Sequence, residues 1–287
     1  MKTIFLKHGV RETLEKTPAV MALGFFDGVH LGHQKIIHTA RAIADDKGLP
    51  LAVMTFDPHP REVMGLRDKT GKHLTPFQEK ADIMEQLGVD YLYAVHFNKQ
   101  FGALTPEKFV QSYIINLNVK HVAAGFDFTY GRGGKGDMEL LKQLGKGIFG
   151  VTVVEKVESC SRKIGSTLIR ELVSSGSVSK IPPLLGTHYE VKGKASSTHK
   201  MTGFGTGSGI VKMDFRKDFV LPPPGRYRVN ISIGSVNQPG VCIMTRGRGS
   251  ILVPAMPDRV IGSTIRLEWV DRLPDFTELP GKQAVQA

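Results

Sequence analysis

The stretch Gly24–His33, which reads GFFDGVHLGH, decides the fold of this chain. The apolar run Ala19–Leu23 before it predicts a β-strand, and the amphipathic pattern of His33–Lys47 after it predicts a helix. A glycine-rich turn between strand and helix brings backbone N–H groups and the positive end of a helix dipole together, which suits an anion. His30 and His33 are three residues apart, so they share one helix face and can donate to phosphate oxygens.

A second stretch, Ile164–Arg170, reads IGSTLIR and lies at another predicted helix start. Its two hydroxyls can donate to phosphate, and its arginine can form two parallel hydrogen bonds to one phosphate group. The two stretches together predict a site for a nucleotide triphosphate rather than a turn with surface histidines. No Cys/His cluster accompanies the histidine pair, which argues against zinc. The candidate catalytic residues are His30, His33, Ser166, Thr167 and Arg170.

Composition and charge narrow the class of protein. The chain has 287 residues, of which 41% are hydrophobic and 23% charged, which excludes a disordered chain and allows one large domain or two ordinary ones. Cys160 and Cys242 have neither metal nor redox spacing, and we see neither a signal peptide nor a membrane span. These features predict a cytoplasmic protein with no membrane partner. The net charge of +11 is spread along the chain, so small phosphorylated substrates are expected rather than nucleic acid.

Strand and helix signals alternate through the first part of the chain. Helical patterns cover Gln78–Leu87 and a segment that opens at Thr105 and continues through Leu117. This alternation predicts a parallel sheet covered by helices, with ligands at the carboxyl ends of the strands, where His30, His33 and Asp57 fall. The predicted strands are Ala19–Leu23, Leu51–Phe56, Tyr91–Phe97, Val119–Gly125 and Val151–Val157.

The pattern changes near Pro182, after which short strands with alternating apolar residues replace the helices. Arg226–Gly234 and Thr264–Val270 each place apolar side chains on one face, which is typical of a small antiparallel barrel or sandwich. The predicted fold class is therefore α/β with a parallel sheet, followed by a small antiparallel β-barrel. We expect domains at residues 1–183 and 184–287, and a loose tail after Phe276.

Five motifs, in order along the chain, resemble the bacterial FAD synthetases, the riboflavin kinase/FMN adenylyltransferase family. The resemblance covers nearly all of residues 1–187. It implies a Rossmann-like nucleotidyltransferase domain, Mg²⁺, and transfer of AMP from ATP to FMN, which gives FAD and pyrophosphate. The motifs are Gly24–His33, Thr55–Pro60, Leu74-Thr75, Gly125–Gly131 and Ser166–Arg170.

The resemblance also implies residues that bind ATP or FMN. Thr55–Pro60 would run from the end of a strand into the binding cleft and help to hold FMN or ATP; the alternative is a rigid turn. Asp127 would lie near the nucleotide; the alternative is a cap of the local turn. The basic loop Gly131–Gly136 would close on phosphates, or be only a loop. The family usually has a second serine where this chain has Gly165. The implied binding residues are Gly24, Phe25, Phe26, Asp27, Gly28, Phe56, Asp57, Pro58, His59, Asp127, Arg132 and Lys163.

The second module departs from the family, in which it is a riboflavin kinase barrel with a Gly-x-Pro-Thr-Ala-Asn loop. The nearest stretch here, Gly203–Ser208, reads GFGTGS, and Ser250–Pro254 has no acid where the family's catalytic glutamate is expected. We therefore predict an inactive kinase module, although Asp258 or Glu268 could act from a shifted register. The alternatives are a bifunctional enzyme, a nucleotidyltransferase for another phosphorylated acceptor, and a flavin- or RNA-binding regulator that uses the barrel. Metal preference and oligomeric state stay open.

Overall fold

The structure is a computed structural model that describes residues 1–9, 17–59, 63, 65, 71–159, 162–201, 208–256 and 259–274. Its contacts divide the chain into two compact units, Met1–Ser166 and Thr167–Ala287. The domain boundary predicted between residues 183 and 184 stays a prediction. Within the described ranges, no helix is long and apolar enough to cross a membrane.

The first unit contains a six-stranded parallel sheet in the order β1-β4-β3-β2-β5-β6, with an apolar core on each face. Its strands are β1 (Lys2–Lys7), β2 (Ala19–Leu23), β3 (Leu51–Asp57), β4 (Tyr91–His96), β5 (Val119–Gly125) and β6 (Gly150–Val154). Its helices are α1 (Leu31–Lys47), α2 (Phe77–Gln86), α3 (Lys99–Gly102), α4 (Pro106–Val110) and α5 (Met138–Gly145), with a π-helix at Gln111–Ile115 and a 3₁₀ turn at Arg132–Gly134.

The sheet confirms the predicted parallel α/β class. Every residue of β2 is buried, as expected of a central parallel strand that helices cover on both faces. The predicted strand Val151–Val157 was too long at its end, because its partner β5 stops at Gly125, which pairs with Val154. The next residues form a two-stranded hairpin, β7 (Glu158–Ser159) with β8 (Arg162–Lys163). Strand β1 was not predicted.

The helices follow the predicted caps more closely than the predicted lengths. The hydroxyl of Thr105 accepts from the backbone N–H of Lys108, and Pro106 opens α4, as the sequence predicts. The α-helix ends at Val110, however, and the chain continues as a π-helix rather than as one helix through Leu117. Helix α1 begins at Leu31, directly after its capping residue His30.

The second unit is a closed antiparallel barrel, which confirms the barrel rather than a sandwich. Its strand order is β10-β13-β12-β11-β14-β9, and its helices are α6 (Ser166–Ser175) and α7 (Pro182–Leu185), with a 3₁₀ turn at Val178–Lys180. The strands are β9 (Tyr189–Lys200), β10 (Gly209–Phe215), β11 (Gly225–Ile233), β12 (Val236–Met244), β13 (Arg248–Val253) and β14 (Thr264–Leu273).

Alternation along the barrel strands works as the sequence predicts. The predicted apolar faces are buried inside the barrel, namely Tyr227, Val229, Ile231 and Ile233 on β11 and Ile265, Leu267 and Trp269 on β14. Several residues named in the sequence predictions lie outside the described residues: Pro60, Cys160, Gly203–Gly207, Asp258 and the tail after Phe276.

Candidate active site

The turn between β2 and α1 has an unusual backbone. Phe26, Gly28 and Val29 have φ values of 56°, 85° and 40°, in the left-handed region that favours glycine. A non-glycine residue there, above all a β-branched valine, is strained and persists only where its surroundings fix it. Such strain clusters at functional sites, so this turn is the first candidate for binding a ligand.

Buried polar contacts hold the turn. The carboxylate of Asp27, which is 2% exposed, accepts hydrogen bonds from the backbone N–H groups of Leu74 at 2.9 Å and Thr75 at 3.2 Å. The hydroxyl of Ser166 donates to the backbone carbonyl of Asp27 at 2.8 Å. Asp27 and Ser166 thus brace the turn from two sides, and their predicted contacts with a nucleotide stay predictions.

Packing explains why two glycines occupy this region. A Cβ on Gly24 would lie 2.8 to 3.0 Å from the ring of Phe26, which is fully buried beneath the turn. A Cβ on Gly32 would lie 3.1 Å from the His30 ring. Both glycines therefore make room for the aromatic rings that shape the site.

The two histidines form a stacked pair at the start of α1. Their ring centroids are 3.6 Å apart and the ring planes differ by 17°. The backbone N–H of His33 donates to Nδ1 of His30 at 3.2 Å, so His30 caps its own helix. Because Nδ1 accepts, the ring hydrogen of neutral His30 lies on Nε2, which makes Nε2–H a donor. Nδ1 of His33 is buried and has no hydrogen-bond partner among the described residues.

Both imidazoles are neutral at pH 7. Burial lowers the pKa of His30 from 6.5 to about 4. Burial also lowers the pKa of His33 well below its usual value, and repulsion by Lys80, by Lys163 and by His30 when it is protonated lowers it further. The pair can therefore offer hydrogen bonds to phosphate, while the positive charge comes from other side chains.

The carboxyl ends of β3 and β5 supply the other predicted residues. Phe56 is buried and Asp57 exposed, and the Asp57-Pro58 peptide bond is cis. The ring of His59 contacts Phe25, with centroids 3.8 Å apart.

Asp127 forms an ion pair with Lys163, whose Nζ also lies 4.7 Å from the centre of the exposed Phe126 ring. The charges of Asp127 and Lys163 both act on His30, which places them near the histidine pair. The two side chains occur where the sequence predicts binding residues, and their contacts with a nucleotide stay predictions.

Arg132 lines a cleft of about 440 Å³ together with Val63, Gly65, Lys99, Gly102 and Ala103. Its backbone N–H donates to the carbonyl of Leu104 at 2.6 Å. A Cβ on the preceding Gly131 would lie 2.9 to 3.0 Å from Pro106, so this glycine lets the loop approach the start of α4. The loop of Arg132 is thus hydrogen-bonded next to the segment that carries Lys99, Gly102 and Ala103, three of the other lining residues.

Ser166 is the member of the second motif that contacts the turn. Thr167 and Arg170 lie on α6 in the second unit, and their part in the site stays a prediction. A Cβ on Gly165 would meet open space, so the missing serine of the family leaves no packing defect.

Comparison with known proteins is consistent with this geometry. The FAD synthetase family is matched over residues 12–168. A Bacillus subtilis protein described as bifunctional riboflavin kinase/FMN adenylyltransferase is 41% identical over 95% of this chain and 90% of its own length. A Listeria monocytogenes protein described as FAD synthetase is 34% identical over 76% of this chain and 83% of its own length. This chain belongs to the FAD synthetase family. It is accordingly a nucleotidyltransferase enzyme.

One solved structure is similar along nearly the whole chain. It is described as a macrolide-efflux protein from Streptococcus pneumoniae, is 28% identical, and covers 98% of this chain and 94% of its own with a TM-score of 0.83. The similarity supports an α/β unit followed by a barrel as the fold of this family member.

Sequence reasoning missed two polar side chains that contact the turn of this family member, the Thr55 hydroxyl and the Lys80 ammonium group. Lys80 is 3% exposed, and its Nζ donates to the carbonyl of Phe25 at 2.8 Å. A signal was present in the sequence. Phe77, Ala81 and Met84 form the apolar stripe of α2, and Lys80 falls on the same stripe, where a lysine is out of place.

A Gly24→Ala substitution should destabilise the first unit by about 1–3 kcal/mol, because the new methyl group meets the buried Phe26 ring. Chemical denaturation measures the loss. Gly165→Ala is the matched control, since that Cβ would meet open space. Equal denaturation midpoints for Gly24→Ala and the wild type would show that the ring moves aside at no cost.

The histidine pair should remain neutral as the ligand-free enzyme is acidified. NMR of the imidazole C–H signals is expected to show no titration of His30 or His33 between pH 8 and 5.5, because burial depresses both pKa values. His30→Gln and His33→Gln variants assign the two signals. A titration midpoint near 6.5 for either ring would contradict the buried stack.

Proposed function

We propose that this enzyme transfers AMP from ATP to FMN, which gives FAD and pyrophosphate. The observation that carries the proposal is the neutral, stacked His30–His33 pair at the start of α1, beside a strained turn that buried contacts hold in place. Membership in the FAD synthetase family supports the choice of substrates.

The reaction that fits this site needs no group of the protein to change its protonation. An oxygen of the FMN phosphate attacks the α-phosphorus of ATP, the bond from that phosphorus to the bridging oxygen breaks, and pyrophosphate leaves with the electron pair. A phosphate monoester carries one to two negative charges at neutral pH, so no base is required to activate it. Catalysis then depends on alignment and on stabilisation of charge, and neutral imidazoles suffice for hydrogen bonding.

We place the triphosphate on the turn and at the start of α1. The Nε2–H of His30 would donate to a phosphate oxygen, and Gly24–Gly28 would let the nucleotide approach the backbone. Ser166, Thr167 and Arg170 would add donors, and Lys163 would add charge next to Asp127.

We place FMN in the cleft that Lys99 and Arg132 line, with its phosphate directed toward β2. A cleft of about 440 Å³ is within the size range of small-molecule sites. Strand β3 lies beside β2 in the sheet, so Phe56, Asp57, Pro58 and His59 would leave the sheet next to the turn that follows β2. This arrangement brings acceptor and donor together at one edge of the sheet.

Magnesium would enter this site on the nucleotide. The described residues contain no group of three His, Cys, Asp or Glu side chains that could hold a metal ion, and the Asp27 carboxylate accepts from two backbone N–H groups. Mg²⁺ commonly binds through substrate phosphates with one or two carboxylates, so an ion that the triphosphate brings would need few ligands from the protein. When bound, the ion would supply positive charge to the phosphates.

We further propose that the barrel lacks riboflavin kinase activity, although several relatives are described as bifunctional. Strand β13 and Pro254 offer no acid to deprotonate a hydroxyl group. Glu268 projects from β14 between the buried Leu267 and Trp269, and its carboxylate accepts from the side-chain amide of Asn230 at 3.0 Å. Because Leu267 and Trp269 fill the barrel interior, Glu268 lies on the outer face of β14, which argues against Glu268 as the missing base.

A cytoplasmic location is part of the same proposal. Cys242 is a buried, free cysteine, which suits a reducing compartment.

Incubation of the purified enzyme with FMN, ATP and Mg²⁺ should give FAD and pyrophosphate in equal amounts. His30→Ala, His33→Ala and Arg170→Ala should each lower kcat/KM by about 10²–10³-fold, since each removes a donor to the reacting phosphates. Chromatography of the flavins and an enzymatic pyrophosphate assay measure both products. Adenylylation of another acceptor with no FAD would refute the substrate assignment, and tight RNA binding with no pyrophosphate release would favour the regulator.

Riboflavin with ATP and Mg²⁺ should give neither FMN nor FAD, because the barrel lacks a base. The assay uses the full chain and, in parallel, the His30→Ala variant, in which any FMN would accumulate rather than be converted to FAD. A reaction started with FMN shows that the wild-type preparation is active. Steady formation of FMN by either protein would show that the enzyme is bifunctional.

A further inference from the structure

Lys80 on α2 places an ammonium group in the interior of the first unit. Its side chain is 3% exposed, and the two groups that accept hydrogen bonds from it, the Phe25 carbonyl and the Thr55 hydroxyl, are uncharged. Burial of an ammonium group costs several kcal/mol, whereas an apolar residue would complete the stripe of α2 without that cost. The lysine therefore needs an explanation beyond packing.

The contacts of Lys80 join two neighbouring strand ends. Its Nζ donates to the carbonyl of Phe25, just after β2, at 2.8 Å, and to the hydroxyl of Thr55, near the end of β3, at 3.3 Å. The Thr55 hydroxyl in turn donates to the same Phe25 carbonyl at 2.8 Å. Lys80, Thr55 and Phe25 thus form a closed triangle of hydrogen bonds.

The same ammonium group lies 4.3 Å from the centre of the Phe25 ring, within cation–π distance. That ring contacts His59, two residues after the end of β3. The Phe25 carbonyl is therefore held by Lys80 and Thr55, and its ring contacts Lys80 and His59, so Phe25 links the turn to the end of β3 and to His59 just after it.

We propose that Lys80 is a positioning residue whose charged ammonium group fixes the triphosphate turn against the acceptor segment that begins at Asp57. The proposal rests on the transfer of AMP to FMN proposed above. In-line transfer between two bound substrates depends on their alignment, and a misplacement of about 1 Å can cost about 100-fold in rate. Lys80 touches neither substrate in this account and acts through Phe25 and Thr55.

The positioning role requires that Lys80 carry a positive charge. Burial lowers the pKa of Lys80 from 10.5 to about 8, while attraction by the carboxylates of Asp27 and Asp57 opposes that shift. Carboxyl and imidazole groups ordinarily titrate below pH 7. Asp27 and His33 from the turn and α1 lie near Lys80, as does Asp57 at the end of β3. The rings of His59, just after β3, and His73, before α2, lie near Phe25. Glu79 is the buried neighbour of Lys80 on α2.

The pH dependence separates a positioning role from a merely structural one. The unfolded chain binds the Lys80 proton up to about pH 10.5 and the folded enzyme only up to about pH 8, so deprotonation of Lys80 makes the fold more stable as pH rises between these values. The positioning role predicts the opposite for activity. The kcat of the wild type should fall above pH 8 while the protein gains stability.

The test uses Lys80→Met, which keeps the side-chain length without charge, Lys80→Arg, which keeps the charge, and Lys142→Met as an exposed control on α5. We expect Lys80→Met to lose about 10–100-fold in kcat, to bind ATP within about threefold of the wild type, and to show no fall in kcat between pH 8 and 9.5. Lys80→Arg should move that fall to higher pH, because a guanidinium group stays charged. Lys142→Met should behave as the wild type.

Hydrogen exchange on the substrate-free proteins gives a readout that does not depend on the acceptor. Backbone amides of Phe26–Val29 should exchange at least tenfold faster in Lys80→Met than in the wild type, with no such change in Lys142→Met. If the wild type forms no FAD, the proposed function fails and the exchange data alone decide the role of Lys80. The proposal is overturned if Lys80→Met shows unchanged exchange or a kcat within threefold of the wild type. It is also overturned if the kcat of the wild type stays constant up to pH 9.5. If Lys80→Arg does not fold, the other two variants decide.

Discussion

The rest of the site depends on the buried hydrogen bonds that hold the turn between β2 and α1. One oxygen of Asp27 accepts two backbone N–H groups, the Ser166 hydroxyl binds the Asp27 carbonyl, and Lys80 binds the Phe25 carbonyl. These buried bonds balance the strain at Phe26 and Val29, whose positive φ values would otherwise relax. The histidine stack follows from the turn, because His30 caps α1 as soon as the turn ends.

Neutral histidines give the site its chemical character. Burial lowers the pKa of His30 to about 4, so His30 carries no charge at pH 7. Because its Nδ1 accepts from the His33 N–H, its Nε2–H remains a donor in a fixed orientation. A preorganised donor in a buried site stabilises developing charge without reorganisation during the reaction. Such a site favours direct transfer between two bound phosphates, in which no protein group has to gain or lose a proton. Neutral imidazoles are also potential nucleophiles, so the direct route has a specific rival.

Local sequence patterns predicted those parts of the fold that local physics determines. The bounds of β2 were predictable because a continuous apolar run is typical of a buried parallel strand. His30 and His33 were found because a glycine-rich turn before a helix is an anion-binding pattern. The alternation on β11 and β14 predicted an apolar interior that the closed barrel confirms. The end of β6 was not predictable, because it is set by the length of its partner β5.

Long-range contacts account for what sequence reasoning missed at the site. Asp27 accepts from Leu74 and Thr75, which follow it in sequence by 47 and 48 positions. Lys80 donates to Phe25 and Thr55, which precede it by 55 and 25 positions, so no local pattern predicts these bonds. The predicted roles of Asp127, Arg132, Thr167 and Arg170 concern ligands and stay predictions.

The stereochemical course at the α-phosphorus tests the central claim most directly. The enzyme would be given FMN and one diastereomer of ATP with sulfur on the α-phosphate, and the configuration of the resulting thio-FAD determined by ³¹P NMR. Direct in-line transfer between substrates aligned by the turn predicts inversion of configuration. Retention would contradict the account, because two displacements would then be needed and a side chain such as His30 or His33 would have carried the adenylyl group.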